Sequence, residues 1–189
     1  GTFRRNLIGN VRSKAKLKNI TKEIFGENTG DVSAKELAQA WTSTHEMLRK
    51  RFNRAGGNIA KKKNYGFPQI HNRFSISKAG REQWKSKIAP LLNQTEMLDQ
   101  TTGLPLNDLQ LEIALNDVYD SIIAEGFNKI KKGPGARGKS LANTRQDHRF
   151  LIFKNADSWM KYQEEFGDPN VFDTMVAHTK NMSRDIAMM

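Results

Sequence analysis

The chain has 189 residues, of which 31 are Lys or Arg and 20 are Asp or Glu, so its formal net charge at pH 7 is +11. It contains no cysteine, which excludes a disulfide framework and a cysteine-ligated zinc site. No apolar run approaches the ~18 residues of a membrane span, and the length suits one domain, or one domain with a basic extension.

The first third of the chain predicts helices rich in basic residues. Residues 3–25 place apolar side chains among Lys and Arg, which predicts a weakly amphipathic basic helix or two short ones. Residues 33–36, Ser-Ala-Lys-Glu, form a capping-box pattern in which the Ser hydroxyl and the Glu carboxylate satisfy opposite backbone amides. Behind this pattern apolar residues recur at helical spacing as far as Phe52, and the glycine pair beginning at Gly56 ends the helix.

The middle of the chain predicts a loop followed by two further helices. Residues 64–76 read as a loop with a short strand, after which Ser77 caps a helix that Pro90 kinks or shortens. Asn107 caps the helix with the clearest pattern, and Gly126 ends it. The predicted core face of this helix consists of Leu111, Ala114, Leu115, Val118, Tyr119, Ile122 and Ile123.

The last third predicts a basic loop, a strand and two helices. Residues 128–144 are rich in Gly and Lys and are interpreted as a mobile loop, and residues 149–153 form the best strand candidate. Asn155 caps a helix that closes at Gly167, and Asn170 opens the last helix. The predicted fold class is therefore mainly α, a helical domain with at most a small two-stranded β element. Two regions are expected, a basic helical N-terminal region over 1–63 and a helical domain over 64–189.

Positive charge is concentrated in two runs that contain no acidic residue. Residues 49–63 carry seven Lys or Arg and residues 129–139 carry five, whereas residues 96–125 carry seven Asp or Glu and no Lys or Arg. Clustered cations on glycine-bearing segments favour a polyanion as partner, and each phosphate contact releases counterions. No sequence-specific DNA-binding motif is present. The predicted contacts to non-specific DNA are Arg49, Lys50, Arg51, Arg54, Lys61, Lys62, Lys63, Lys129, Lys131, Lys132, Arg137 and Lys139.

The histidines supply an alternative hypothesis. If the fold brought His71, His148 and His178 together with Asp185, these side chains could bind a metal ion or act as acid and base. The chain would then be a metal-dependent nuclease or hydrolase. No HExxH pattern is present, so a structural role in pinning loops through hydrogen bonds is the other interpretation of these residues.

Residues 133–140, Gly-Pro-Gly-Ala-Arg-Gly-Lys-Ser, match the spacing of a phosphate-binding loop. The context does not fit, because no apolar strand precedes the motif and the segment before it, 128–132, is polar and basic. We interpret these residues as a flexible basic loop and predict no nucleotide cofactor.

Over about residues 65–189, several short blocks occur in an order that resembles one protein family. They are Phe67–His71, Gly80–Trp84, Pro90–Leu92, Thr102–Leu106, Leu141–Asn143, His148–Leu151, Phe153–Trp159, Tyr162, Phe166–Gly167, and His178 through Met182 to Asp185–Ala187. Together they resemble a segment of the long structural proteins of tailed bacteriophages, of the internal or ejected virion type. The resemblance implies no catalytic residue. Because a Gly-Pro-rich continuation follows the final helix in that family, we expect this chain to be a fragment of a longer protein.

These observations lead to one functional expectation. The chain is expected to be a virion-associated structural protein without enzymatic activity, cofactor or metal, which binds DNA non-specifically through its basic clusters. Its other expected partners are virion proteins and further copies of itself. Its expected location is the phage particle, after assembly in the host cytoplasm. A weaker alternative is a helical adaptor that presents the same basic surface to acidic proteins.

Overall fold

The part of the chain that a computed structural model describes comprises residues 14–57, 69–99, 102–124, 151–168, 170, 179–181, 183–184 and 186–188. These residues are mainly helical, which confirms the predicted fold class, and they contain no β-strand. The α-helices, in chain order, are α1 (Lys14–Ile24), α2 (Val32–Arg54), α3 (Arg73–Ala79), α4 (Arg81–Ile88), α5 (Asp108–Ile123) and α6 (Ala156–Phe166). Short 3₁₀ turns follow α4 at Ala89–Leu91 and Gln94–Glu96.

The chain divides into two compact units. Unit 1 comprises residues 1–68, 155–157 and 170–189, and unit 2 comprises residues 69–154 and 158–169. The predicted domain boundary at residues 63 and 64 lies outside the described residues, as do residues 3–13 of the predicted first helix and the predicted loop over 128–144. Of the predicted last helix, residues 179–181, 183–184 and 186–188 are described and are helical.

Helix α2 in unit 1 begins at a different cap from the one the sequence predicts. Its N-cap is Asp31, whose carboxylate accepts a hydrogen bond from the amide of Ala34 at 3.1 Å and another from the side chain of Asn19 at 3.2 Å. The prediction that Ser33 caps this helix is wrong, because Ser33 already lies within the first turn. A carboxylate at the N-cap satisfies a free amide and also complements the positive end of the helix dipole.

The core of unit 1 is formed by facing surfaces of α1 and α2. One stripe of α2 is buried, which includes Leu37, Leu48 and Phe52 of the predicted helical spacing, and Ile20 and Ile24 of α1 are buried with it. The stripe also contains a polar residue, His45, which is fully buried. Nε2 of His45 lies 3.1 Å from the hydroxyl oxygen of Thr179, in the last helical segment. The buried residues of α2 are Ala34, Leu37, Ala38, His45, Leu48 and Phe52.

In unit 2, a single glycine separates α3 from α4. Gly80 has φ 78° and ψ 161°, a backbone conformation that residues with a side chain rarely adopt. Asn72 caps α3 through its side chain, which accepts a hydrogen bond from the amide of Ser75 at 3.1 Å. Two sequence predictions are therefore wrong, namely that residues 73–76 belong to a loop with a short strand and that Ser77 begins the next helix, since Ser77 lies inside α3.

After α4 the chain changes direction at Pro90. The α-helix ends at Ile88 and a 3₁₀ turn contains the proline, which confirms the predicted shortening. Leu92 then forms an isolated antiparallel bridge with Phe153. Within the described residues 151–153, the strand predicted over 149–153 is limited to this bridge.

Helix α5 begins at the cap that the sequence predicts, and four of its seven predicted core residues are buried, while Ala114, Tyr119 and Ile123 are half-buried. Asn107 and Gln110 form a capping box, in which each side chain accepts a hydrogen bond from the backbone amide of the other residue. The residues before the cap make a turn in which Gly103 has φ 69°, and Leu98 pairs with Pro105 in a second isolated bridge. The buried residues of α5 are Leu111, Leu115, Val118, Ser121 and Ile122.

The core of unit 2 is dominated by large aromatic and aliphatic side chains. Trp84, Trp159 and Tyr162 are almost completely buried, and the ring of Tyr162 lies 5.3 Å from that of Phe153 between centroids. Burying an aromatic side chain contributes about 1.5–3 kcal/mol through removal of apolar surface from water. The predicted positions of Trp84, Trp159, Tyr162 and Phe166 in the core are confirmed.

Candidate nucleic-acid interface

The last two turns of α2 carry four of the predicted DNA contacts, Arg49, Lys50, Arg51 and Arg54. These residues occupy different sides of the helix, because successive residues are about 100° apart. Phe52, which is 5% exposed, fixes the inner side at this end of the helix. Lys50, Arg51 and Arg54 are therefore directed to solvent, and all three are exposed.

Arg49 forms an ion pair on the surface of the same helix. Its Nε lies 2.9 Å from Oε2 of Glu46, and its Nη2 lies 3.0 Å from Oε1. The Arg49 side chain is only 14% exposed, so Glu46 compensates its charge at close range. Nζ of Lys50 lies 3.8 Å from the same carboxylate but its side chain is 61% exposed, which leaves Lys50 accessible to an external anion.

The exposed cations border an open groove of about 510 Å³ on α2. The groove is lined by Ser43, Glu46, Met47, Lys50, Arg51 and Arg54. Residues spaced by three and four positions share a helix face, so Met47, Lys50 and Arg54 form one stripe. Among the residues that the structure describes, no carboxylate forms an ion pair with Arg51 or Arg54.

The C-terminal end of α2 favours the positive charges of Arg51 and Arg54 even when no external anion is bound. The amide of Ala55 donates to the carbonyl of Arg51 at 3.1 Å, and Gly56 with φ 102° turns the chain away from the helix. Positive side chains in a last helical turn interact favourably with the negative end of the helix dipole. Arg51 and Arg54 therefore stabilise α2 whether or not they bind DNA.

Three cations of α4 in unit 2 are arranged differently, since each is bound by a carboxylate of a neighbouring helix. Arg81 of α4 forms a bidentate salt bridge with Asp120 of α5, in which Nη2 lies 2.6 Å from Oδ1 and Nη1 lies 3.1 Å from Oδ2. The hydrogen bond to Asp120 raises the pKa of Arg81 above its usual value. Lys87 of α4 binds the carboxylate of Glu165 in α6.

Lys85 of α4 lies between two carboxylates. Its Nζ is 3.0 Å from Glu82 in the same helix and 3.3 Å from Glu112 in α5. The hydrogen bond to Glu82 first, and that to Glu112 next, raise the pKa of Lys85. Lys85, like Arg81, thus links helices of unit 2, and part of the acidic segment over 96–125 serves to balance these cations.

The other predicted DNA contacts lie outside the described residues. They are Lys61, Lys62, Lys63, Lys129, Lys131, Lys132, Arg137 and Lys139. The phosphate-loop-like segment over 133–140 lies outside them as well. These assignments stay predictions from the sequence.

One member of the hypothetical metal site is described, and it has a protein partner. Nδ1 of His71 lies 2.6 Å from the hydroxyl oxygen of Tyr162. His148, His178 and Asp185 lie outside the described residues, so their convergence with His71 stays a prediction. In the described ranges, no group of three or more His, Asp or Glu side chains could hold a metal ion.

Sequence reasoning missed Glu46 as part of the basic cluster. The acid-free run starts at Arg49 in the linear sequence, but Glu46 lies one helical turn earlier and reaches both Arg49 and Lys50. The spacing of three and four residues was a readable signal. A count along the helix face, in place of a count along the chain, would have included this carboxylate.

Within the described ranges, no helix combines the length and the apolar character that crossing a bilayer requires. No protein-family model, no curated protein and no solved structure matches this chain.

Proposed function

We propose that this chain is a virion-associated structural protein of a tailed bacteriophage, of the internal or ejected type, which binds DNA non-specifically. The phage assignment comes from the order of sequence blocks over about residues 65–189. The proposed location is the virion, after assembly in the host cytoplasm. The proposed further partners are other virion proteins and copies of the same chain, and the proposed role includes no catalytic step.

One observation carries the DNA-binding part of the proposal. Lys50, Arg51 and Arg54 are exposed at one end of α2, and no described carboxylate pairs with Arg51 or Arg54. In unit 2, by contrast, Arg81 and Lys85 are bound to carboxylates. Because no described carboxylate pairs with Arg51 and Arg54, their charges are better placed to contact phosphates than those of Arg81 and Lys85.

The geometry supports contact with the DNA backbone and not with base edges. The three cations lie in the last turns of α2, which form the first part of the basic run over 49–63. Exposed lysine and arginine side chains on a helix reach phosphates of any sequence. The expected binding is therefore independent of sequence and falls steeply as salt concentration rises.

The test is a charge-reversal triple, Lys50→Glu, Arg51→Glu and Arg54→Glu, assayed on duplex DNA across a salt series. The slope of log affinity against log salt is expected to become shallower by about 0.9 for each phosphate that the variant no longer neutralises. A matched control reverses the exposed Lys35, Lys161 and Lys180, which are scattered along the chain and change the net charge by the same amount.

The two triples separate a local interface from net charge. The proposal requires the α2 triple to weaken binding far more than the scattered triple does. Equal weakening by both would show that only the overall charge matters and would overturn the interface on α2. A neutral triple with Gln at positions 50, 51 and 54 is expected to bind DNA with an affinity between those of wild type and the charge-reversal triple. It also avoids placing acids at the negative end of the helix dipole.

A further inference from the structure

The outer face of α3 presents a phenylalanine to solvent. Phe74 is 87% exposed and is the only aromatic residue among the large exposed hydrophobic residues that the structure describes. Ile76, two residues later, is completely buried. Because residues two positions apart in a helix differ by about 200°, the burial of Ile76 turns Phe74 directly away from the core.

The ring of Phe74 is carried by a short helix whose start is tied to α6. The amide of Asn72 donates to the carbonyl of Phe166 at 2.7 Å, which ties the start of α3 to the end of α6. At the other end, the amide of Gly80 donates to the carbonyl of Ile76 at 3.1 Å. An exposed ring on such a support loses little conformational entropy when it binds a flat ligand.

The charged residues nearest to Phe74 in the sequence are all positive. Residues 69–81 contain Arg73, Lys78 and Arg81 and no acidic residue. Lys78 lies one helical turn after Phe74 on the same face, and both Arg73 and Lys78 are exposed. Among the described residues of unit 2, the other large exposed hydrophobic residues lie in the acidic segment over 96–125, and they are Leu98, Leu104, Leu109 and Ile113.

We propose that Phe74 stacks on an unpaired base of single-stranded DNA, while Lys78 contacts a neighbouring phosphate. This inference rests on the proposed DNA-binding function and extends it to a second contact and a preferred form of the nucleic acid. An aromatic ring beside cations is the arrangement by which proteins bind single strands without reading sequence, since every base has a π face. In a duplex the base faces are already stacked on each other and are closed to Phe74.

A protein partner fits this surface less well. Protein docking sites are contiguous apolar patches of several hundred Å², whereas Phe74 stands among Arg73, Ser77 and Lys78, which are polar and exposed. The lone ring matches a single base in size, and the adjacent cations match the phosphate that accompanies it.

The experiment compares Phe74→Ala with wild type on an oligo-thymidine strand and on a duplex of the same length. Stacking on a protein aromatic contributes enough that its removal is expected to weaken single-strand binding by about 5- to 150-fold. Duplex binding is expected to stay about the same as that of wild type. The control is Leu104→Ala, which removes an exposed apolar side chain (65% exposed) from the acidic segment and is expected to change neither affinity.

A second variant gives a direct optical signal. Phe74→Trp places an exposed indole at the proposed contact, whereas Trp84 and Trp159 are buried and Trp41 is half-buried. Its fluorescence, measured relative to wild type, is expected to be quenched by the single strand and not by the duplex. Because Phe74 is exposed, both variants are expected to melt within a few degrees of wild type.

The outcomes separate this inference from the function on which it rests. If wild type binds both DNA forms but Phe74→Ala binds the single strand as wild type does, the stacking contact is refuted and the proposed function stands. If wild type binds neither form, the proposed function is refuted and the stacking contact with it. Equal weakening on strand and duplex, or weakening seen only with a single-stranded RNA, would also overturn the inference.

Discussion

The hydroxyl oxygen of Tyr162 lies 2.6 Å from Nδ1 of His71 in unit 2. The indole N–H of Trp84 approaches the same oxygen at 3.4 Å, and an indole can only donate. The Tyr162 oxygen therefore accepts from Trp84, which leaves its own proton for Nδ1 of His71, because a buried hydroxyl proton without an acceptor costs free energy. One buried tyrosine thus connects α4, α6 and the segment that precedes α3.

Tyr162→Phe is predicted to destabilise the protein at neutral pH and to change its response to alkali. Removing the hydroxyl leaves the indole N–H of Trp84 without this acceptor, at a cost of about 1–3 kcal/mol. Burial raises the pKa of Tyr162, and the smaller effect of the Trp84 hydrogen bond opposes this shift. Because the pKa of Tyr162 is higher in the folded protein than the unfolded value of about 10, the protonated tyrosine favours the folded state. This contribution to the free energy of unfolding is complete below about pH 10 and is lost as pH rises further.

The measurement is a set of urea titrations of wild type and Tyr162→Phe from neutral pH to well above the usual tyrosine pKa. Lysines also titrate in the alkaline range, so the informative quantity is the difference between the two proteins. That difference is predicted to shrink as pH rises above about 10. A constant difference over the whole range would contradict the buried, protonated state of Tyr162.

The cap of α2 gives a prediction that separates two neighbouring residues. Asp31→Ala is predicted to lower the melting temperature, because the carboxylate accepts from the amide of Ala34. Ser33→Ala is predicted to have the smaller effect, since Ser33 lies in the first turn and is not the cap. Thermal melts of both variants decide the matter, and a larger decrease in Ser33→Ala would restore the capping box that the sequence suggests.

The same carboxylate predicts a response to acid. Hydrogen bonds from Ala34 first, and from Asn19 next, lower the pKa of Asp31 below its usual value. Because the pKa of Asp31 is lower in the folded protein than in the unfolded chain, the ionised carboxylate favours the folded state. This contribution to the free energy of unfolding is present above about pH 4 and is lost as pH falls through the pKa of Asp31 in the folded protein. Asp31→Asn keeps a good cap and is predicted to reduce this acid dependence, which melts at neutral pH and at a series of acidic pH values would measure. An unchanged acid dependence in Asp31→Asn would refute this role.

Gly80→Ala is predicted to cost about 1–3 kcal/mol, because φ 78° with ψ 161° belongs to a region essentially reserved for glycine. The strain is conformational, since a Cβ at Gly80 would meet no atom within 4 Å. Gly26→Ala is the matched variant for comparison, because Gly26 has φ 83° and an added Cβ there would also meet no atom within 4 Å. The free energies of unfolding from urea titrations supply the test, and an unchanged value for Gly80→Ala would show that the α3–α4 junction tolerates another conformation.

The sequence predicted the helices whose signals are local and complete. Helix α5 has an Asn cap, a Gln three residues later and apolar residues at helical spacing, so pattern and packing agree. The cap of α2 was predicted at Ser33, two residues after the actual cap, Asp31. Both residue types are good helix caps, and the contacts of the preceding turn determine which of the two is used. That selection depends on Asn19, a contact from α1 that no local pattern encodes.

The interpretation of residues 73–76 as part of a loop with a short strand failed for a different physical reason. Phe74 and Ile76 alternate with polar residues, which is typical of a strand. Residues two positions apart also lie on nearly opposite sides of a helix, so the same alternation fits one exposed and one buried residue of α3. The contacts of Asn72 with Ser75 and Phe166 decide between the two, and the second of these is distant in sequence.

The candidate site was predicted in part. The basic run correctly located exposed cations at Lys50, Arg51 and Arg54, because a run of positive charges without an acid cannot all be buried. The pairing of Arg49 with Glu46 was missed, since it depends on helix geometry. The exposed aromatic of α3 was missed as well, because Phe74 was placed in the predicted loop with a short strand and its exposure depends on which side of α3 packs.

The last prediction concerns Lys61, Lys62 and Lys63, the lysines at the end of the first basic run. Changing all three to Glu is predicted to weaken binding to any duplex alike and to make the salt dependence shallower by about one unit of slope for each lysine that had neutralised a phosphate. A triple with Arg at the same positions keeps the charges and is predicted to bind as wild type does. Filter-binding titrations on an A·T-rich and a G·C-rich duplex test both statements. Unchanged affinity and slope in the Glu triple, or weakening confined to one duplex, would refute non-specific phosphate contact by these lysines.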